Sequence, residues 1–333
     1  MREYLDNPVF ICGHRKCGTT MLVSLLDSAE ETIVYPDDSG IFYLYFPRYV
    51  GSNYTRKEKF ERLTDFLIKE HLSDILTRPL QTEQVSKDLK KKCLEFYNAV
   101  NSFSETDFDF KQVLKFFIKC FAETFYPERN NTKVWIEKTT STEIYANELS
   151  EMFPNAKFVH LLRDPRDNWA SLKSGWEKRY KDYNDDIRRL KQSMIERGRA
   201  SMELAKYNKE LIGKERYSVI RYEDITQNPE KEMRKLANFI GISFSEKLMS
   251  PTIVGLPWKG NNFSGKNFYK PSHENVGRWQ ERIDQEEAKL MEYHFKGLME
   301  NFGYVPEFTL KEQQKAAAEH YKWFNFSTPY SAK

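Results

Sequence analysis

The stretch that decides the fold is residues 8–21, PVFICGHRKCGTTM. Its first five residues are rich in β-branched and aromatic side chains and predict a buried strand. Gly13 and Gly18 then enclose a short polar loop, and the apolar spacing that follows predicts a helix through Leu26. A strand, a glycine-flanked loop and a helix N-terminus form an anion cradle, because backbone N–H groups and the helix dipole point at the bound group.

This loop differs from the G-x-x-x-x-G-K-[ST] loop that binds nucleoside triphosphates. The residue after the second glycine is Thr19, and the lysine stands inside the loop at Lys16. A lysine after the second glycine reaches the terminal phosphates, whereas Lys16 would contact the first phosphate and the group bonded to it. The loop therefore suits a nucleotide with a single 5′-phosphate whose bridging oxygen becomes the leaving group.

The rest of the chain alternates short apolar runs with longer helical patterns. Further strands are predicted at 134–136, 157–162 and 217–222, and a strand-like segment surrounds Val34. This alternation predicts an α/β fold, a mostly parallel sheet with helices on both faces. Such sheets bind ligands at the carboxyl ends of their strands.

Length and composition fit one large folded unit. The chain has 333 residues, 40% apolar and 30% charged, as in ordinary globular proteins. We predict a single α/β domain over 1–309 with a helical insertion at about 55–130, and a C-terminal helical tail over 310–333. The net charge of +3 is too small to predict nucleic-acid binding across the surface.

No metal site and no membrane segment is predicted. His, Cys and carboxylate residues do not cluster with ligand spacing. The apolar run at 41–46 is far shorter than a membrane span, and no signal-peptide pattern precedes it. We therefore expect a soluble, cytoplasmic protein.

A second candidate anion site follows the strand at 157–162. Arg163 stands at the carboxyl end of this strand, and Ser171 lies two turns into the next predicted helix. The two side chains are expected to converge on one phosphate, with arginine as a charged fork and serine as a neutral donor. Arg166 and Asp167 are expected to pair and close the turn between them.

Three segments together resemble sulfotransferases that use 3′-phosphoadenosine 5′-phosphosulfate (PAPS). KCGTT at 16–20 resembles their 5′-phosphosulfate loop, and 163–171 resembles their 3′-phosphate motif, with the same offset between arginine and serine. RYEDI at 221–225 and the helical pattern after it are similar to a third family segment. The resemblance runs from residue 8 to about 304. It implies a P-loop NTPase-like fold, with PAPS as donor and the 3′,5′-bisphosphate (PAP) as product.

The resemblance also implies roles for the matched residues. Lys16 would hold the bridging oxygen, Arg163 and Ser171 would grip the 3′-phosphate, and Tyr222 would touch the adenine. The cytosolic branch carries an adenine-stacking tryptophan where this chain has Met21. The candidate nucleotide-binding residues are Arg15, Lys16, Cys17, Gly18, Thr19, Thr20, Arg163, Ser171, Tyr222 and, from a late loop, Lys270 and Arg278.

The acceptor proton needs a base, and VWIEKTT at 134–140 offers one. The cytosolic branch has Lys-Thr-His near this position, whereas here Thr140 replaces the histidine. The pair Glu137 and Lys138 instead resembles the carbohydrate N-sulfating branch, where the glutamate is the base. Lys138 would then face the sulfuryl oxygens, whose charge shifts in the transition state.

Asp37 and Asp38 are the competing bases. Tyrosylprotein and bacterial sulfotransferases carry an acidic base soon after the equivalent strand. The same PDDSG sequence is also typical of a simple turn. The sequence favours Glu137.

The resemblance thus implies in-line sulfuryl transfer from PAPS to a hydroxyl on a saccharide, a peptidyl-tyrosine or a small alcohol or phenol. One alternative is a P-loop nucleotide kinase or NTPase, against which Thr19 argues. Another is an inactive nucleotide-binding protein of the same fold, against which Lys16 and Glu137 argue.

Overall fold

The computed structural model describes residues 3–40, 55–76, 82–103, 109–179, 187–260 and 266–322. Seven strands form in these ranges: β1 (Pro8–Cys12), β2 (Thr32–Asp38), β3 (Val134–Lys138), β4 (Lys157–Leu162), β5 (Tyr217–Arg221), β6 (Thr252–Ile253) and β7 (Leu256–Pro257). The first five make a parallel sheet in the order β2-β3-β1-β4-β5, and β6 and β7 make an antiparallel hairpin. The predicted α/β fold is confirmed.

Helices connect the strands. The α-helices are α1 (Thr19–Asp27), α2 (Arg56–Thr64), α3 (Ser73–Leu76), α4 (Glu83–Asn101), α5 (Phe110–Phe125), α6 (Ala146–Met152), α7 (Pro165–Arg179), α8 (Ile187–Ser193), α9 (Arg199–Ile212), α10 (Tyr222–Gln227), α11 (Pro229–Ile240), α12 (Trp279–Arg282), α13 (Gln285–Asn301) and α14 (Leu310–Tyr321). Short 3₁₀ turns lie at Glu3–Asp6, Thr142–Tyr145, Glu246–Met249 and His273–Asn275, and π-helical turns lie at Asp65–Leu72 and Met194–Gly198.

Apolar side chains on both faces of the sheet are covered by helices. On one face Phe10, Trp135 and Phe158 pack with residues of α4 and α5. On the other face Ile11 and Ile136 pack with residues of α1 and α11. The two sets alternate along each strand because successive side chains point to opposite faces.

The segment predicted as a helical insertion, 55–130, contains α2 to α5 and one π-helical turn. Aromatic contacts hold it to β2. The ring centroid of Tyr35 lies 5.4 Å from that of Phe117 and 5.0 Å from that of Phe121. The insertion therefore packs beside the strand that carries Asp37 and Asp38.

The start of the predicted tail forms α14, which packs on α13. Gln313 Nε2 donates to Glu292 Oε2 at 3.0 Å, and Ala316 and Ala317 are buried. The remaining tail, 323–333, lies outside the described residues. None of the helices in the described part of the chain is long and apolar enough to cross a membrane.

Candidate active site

A cleft of about 320 Å³ lies where β1, β4 and β5 end. Some of its lining residues were predicted from the sequence and others were not. The predicted residues are Lys16, Gly18, Thr19, Thr20, Arg163, Ser171, Tyr222 and Lys270. The sequence missed Trp258, Phe268 and Arg282, which also line the cleft.

The glycines of the loop after β1 are required by close approach. Gly13 has φ 137° and Gly18 has φ 100°. A Cβ at Gly13 would lie 2.5 Å from the Leu161 carbonyl oxygen, and one at Gly18 would lie 2.5 Å from Tyr222 Cδ2. Between them Lys16 has φ 68°, a left-handed conformation that is uncommon outside glycine. The loop is thus a tight turn, and Lys16 lies at the crest of the loop, which here means its left-handed position between the two glycines.

Arg163 links the two candidate anion sites. Its Nη1 donates to the carbonyl oxygen of Lys16 at 3.1 Å, and its Nη2 donates to that of Asn275 at 2.7 Å. The guanidinium carbon lies 4.6 Å from the centroid of the Tyr222 ring. These contacts hold the arginine in the lining of the cleft, beside the loop and the start of α10.

The cleft is electropositive. Burial, and repulsion from Arg278 and Arg163, lower the pKa of Arg282 from its ordinary value. Asp167 and Glu281 oppose this shift only in part. No aspartate or glutamate is among the described residues that line the cleft. The described lining itself carries positive charge without a carboxylate, which favours a bound anion.

Beside the cleft, Lys138 joins the loop after β1 to an acidic pair. Its Nζ lies 2.8 Å from Asp37 Oδ1, 2.8 Å from Asp38 Oδ1 and 3.4 Å from Thr20 Oγ1. Burial alone would lower the pKa of Lys138, but the two carboxylates raise it above the ordinary value. Lys138 is therefore a buried cation beside the cleft, next to the lining residue Thr20.

Glu137 is the neighbouring residue but faces the other side of the sheet. It is completely buried and does not line the cleft. Its Oε1 accepts hydrogen bonds from Ser39 Oγ and Thr139 Oγ1, both at 2.5 Å. Burial raises the pKa of this carboxyl to about 7, although the two hydroxyl donors and Lys138 oppose the shift.

A histidine from the insertion reaches the acidic pair. His71 Nε2, in the π-helical turn Asp65–Leu72, lies 3.9 Å from Asp37 Oδ2. No sequence pattern indicates this contact, because it joins residues far apart along the chain. The insertion therefore borders the same end of the site as Lys138.

Comparison with known proteins assigns the family. The sequence model of the Sulfotransferase family matches residues 8–246, which is most of the chain. The chain belongs to the sulfotransferase family. The match spans the loop after β1, Arg163 and Ser171, and Tyr222, which are the segments on which the resemblance was based.

Individual sulfotransferases share about a quarter of their aligned residues with this chain. The omega-hydroxy-beta-dihydromenaquinone-9 sulfotransferase of Mycobacterium tuberculosis is 25% identical over 263 residues, which are 71% of this chain and 63% of that protein. The chain thus matches less than two thirds of this relative's length. The protein-tyrosine sulfotransferase A of Caenorhabditis elegans is 27% identical over 101 residues, which are 30% of this chain and 26% of that protein.

A solved sulfotransferase structure has the same fold. The sulfotransferase domain from the Synechococcus PCC 7002 olefin synthase aligns with a TM-score of 0.54 and 18% identity, covering 90% of this chain and 95% of that domain. At this identity the likeness concerns the fold alone.

Several predicted residues lie beside the cleft rather than in it. Arg15 is exposed, Cys17 is buried, and neither lines the cleft. Burial raises the pKa of the Cys17 thiol. Arg278 also lies outside the lining, where its Nη2 is 3.4 Å from Glu281 Oε2, while Arg282, one helical turn later, does line the cleft.

The prediction that Arg166 pairs with Asp167 is wrong. Arg166 binds Asp164 through two hydrogen bonds, of 3.0 and 2.7 Å, and Glu292 at 2.7 Å. Asp167 instead accepts the backbone N–H groups of Gly277 at 2.7 Å and Trp279 at 2.8 Å. Sequence proximity suggested the pair, but the later segment packed on α7 supplies other partners. The predicted strand 217–222 also ends one residue early, since Tyr222 begins α10.

Proposed function

We propose that this sulfotransferase transfers a sulfuryl group from PAPS to an acceptor hydroxyl. The observation that carries the proposal is the convergence of two anion-binding segments on one electropositive cleft. Lys16, Thr19 and Thr20 line one part of it, and Arg163 and Ser171 line another. An adenosine with phosphate at both the 3′ and 5′ positions presents two anions to such a cleft, and each segment would bind one of them.

The adenine would lie against the apolar part of the cleft. Met21 stands on α1 where the cytosolic branch has tryptophan, but Trp258 and Phe268 line the same cleft. Trp258 directly follows β7 and is buried. Aromatic faces stack well on a purine, so these two rings and Tyr222 are the proposed adenine contacts.

We assign the base to the acidic pair, with Asp38 as the first candidate, rather than to Glu137, which the sequence favours. A base must come within hydrogen-bond reach of the acceptor hydroxyl. The Asp38 side chain is 34% exposed, whereas Glu137 is fully enclosed and bound by two hydroxyl groups. Lys138 holds Asp38 next to Thr20 of the phosphate loop.

The proposed reaction is a displacement at sulfur. The acceptor oxygen forms the new S–O bond while Asp38 takes its proton. The bond between sulfur and the bridging oxygen breaks, and PAP leaves with the electron pair. Lys16 and Lys138 stabilise the negative charge that develops on the bridging and sulfuryl oxygens.

The acceptor is proposed as a class only: a saccharide, a peptidyl-tyrosine or a small alcohol or phenol. The insertion borders the acidic pair through His71 and is rich in aromatic residues, such as Phe117 and Phe121. We propose that it shapes the acceptor side. The two named relatives are an omega-hydroxy-beta-dihydromenaquinone-9 sulfotransferase and a protein-tyrosine sulfotransferase, and these names give two different acceptor classes.

Transfer of radiolabelled sulfate from PAPS to panels of saccharides, tyrosine peptides, lipid alcohols and phenols tests the function. We expect at least one panel to accept label, Asp38→Asn to reduce turnover by roughly a hundredfold or more, and Glu137→Gln to retain most of it. Transfer of the terminal phosphate of ATP instead would favour the kinase alternative. Tight PAP binding without transfer to any panel would favour the inactive binding protein.

A further inference from the structure

The amide of Asn168 touches the phosphate loop at three places. Asn168 is on the first turn of α7 and is 1% exposed. Its Nδ2 donates to the Arg15 carbonyl oxygen at 2.8 Å and contacts Cys17 Sγ at 3.3 Å. Its Oδ1 lies 2.9 Å from His14 Nδ1. One buried side chain thus contacts three of the four residues between Gly13 and Gly18, namely His14, Arg15 and Cys17.

The orientation of this amide follows from its partners. A backbone carbonyl only accepts, so the atom facing Arg15 must be the NH₂ group, and Oδ1 must face His14. Because Oδ1 only accepts, His14 Nδ1 must carry the proton. Burial lowers the pKa of His14 to about 4, which keeps the ring neutral and is consistent with this tautomer.

The contacts of Asn168 lie on both sides of Lys16, the loop residue with the unfavourable backbone conformation. Lys16 has the left-handed φ of 68° and lies between Arg15 and Cys17, both of which the Asn168 amide contacts. A non-glycine residue keeps such a conformation only when its surroundings enforce it. Arg163 adds the third constraint by donating to the Lys16 carbonyl oxygen.

The same helix carries the other half of the site. Ser171 lies on α7 in the turn after Asn168, and Arg163 stands just before the helix begins. A rigid helix therefore connects the Asn168 amide, which holds the loop, to the residues assigned to the 3′-phosphate. We propose that Asn168 is a positioning residue that holds the 13–18 loop, with Lys16 at its crest, in register with that second anion site. This inference rests on the proposed function.

The test uses the 333-residue chain and compares nucleotides that carry only the 5′-phosphate or only the 3′-phosphate. Asn168→Ala removes every contact, while Asn168→Asp keeps the shape and the acceptor for His14 but loses the donor to Arg15 and Cys17. The matched control is Asn208→Ala, because Asn208 is equally buried and donates to the Glu143 carbonyl oxygen at 2.8 Å without touching the loop. The probes are PAP, adenosine 5′-phosphate and adenosine 3′-phosphate, with thermal unfolding measured in parallel.

We expect both Asn168 variants to bind adenosine 5′-phosphate roughly tenfold more weakly and adenosine 3′-phosphate within about twofold of wild type. Asn208→Ala should leave the ratio of the two affinities unchanged even if it lowers the melting temperature. Equal losses for both of these nucleotides, or no loss in Asn168→Asp, would overturn the positioning role while PAP binding by the wild type still supports the proposed function. Failure of the wild type to bind PAP would instead remove the proposed function and the inference with it.

Discussion

The guanidinium of Arg163 donates to the carbonyl oxygen of Lys16 across 3.1 Å. The residue after β4 is thereby tied to the crest of the loop after β1, and Arg163 also contacts the ring of Tyr222 at the end of β5. Three strand ends are joined by one side chain. Because Arg163 contacts the loop as well as lining the second candidate site, a change at Arg163 is expected to affect ligands of both sites.

Arg163→Ala should weaken PAP binding by roughly 10- to 100-fold, because a charge-assisted contact to phosphate is lost. Adenosine 5′-phosphate should lose less, since only the indirect support of Lys16 disappears. Isothermal calorimetry with both nucleotides measures the difference.

Arg216→Ala is the control for Arg163. The Arg216 guanidinium also binds two backbone carbonyl oxygens, those of Ser150 at 3.3 Å and Pro154 at 3.0 Å, but it is outside the lining of the cleft. Its loss should not change nucleotide affinity. If Arg163→Ala and Arg216→Ala had the same effect, the assignment of Arg163 to a phosphate would be wrong.

Gly18→Ala should abolish most PAP binding, because the new Cβ would lie 2.5 Å from Tyr222 Cδ2 and the backbone φ is 100°. We expect an affinity loss of roughly tenfold or more. Gly213→Ala is a matched control, since Gly213 has φ 92° and nothing within 4 Å of its Cβ position. That variant should lose some stability but keep its affinity, as measured by denaturation and calorimetry. Unchanged affinity in Gly18→Ala would mean that the loop does not bind the nucleotide.

Glu137 should make stability depend on pH. Burial raises its pKa to about 7, so the folded protein retains a proton that the unfolded chain releases at about pH 4.5. The stabilisation is fully present below about pH 4.5 and is lost as the pH rises to about 7.

Glu137→Gln has no proton to lose, so its free energy of unfolding should gain about 3 kcal/mol relative to wild type between pH 4.5 and 7.5. Urea denaturation of both proteins across this range measures the gain. Parallel pH profiles for the two proteins would contradict a raised pKa at Glu137.

The sequence predicted the parallel sheet and part of the cleft lining. The strands at Pro8–Cys12 and Lys157–Leu162 have the predicted bounds, because buried parallel strands are continuous apolar runs with clear ends. Arg163 and Ser171 line one cleft because their spacing is fixed by a single strand-to-helix junction. The sequence pattern is sufficient for features that depend only on residues close together along the chain.

Long-range contacts were not predictable in this way. Nothing in the sequence distinguishes Arg282 from Arg278, and only the packing of α12 places the former in the cleft. The enclosure of Glu137 depends on Ser39 and Thr139, which directly follow β2 and β3 and donate hydrogen bonds to its carboxylate. His71 meets Asp37 only because the insertion packs on β2.

Calorimetric titration of the wild-type chain with PAP and with ATP, both without Mg²⁺, tests the central claim most directly. The account predicts that PAP binds at least about a hundredfold more tightly than ATP, because only PAP places phosphates at both anion sites. Equal or tighter binding of ATP would contradict it.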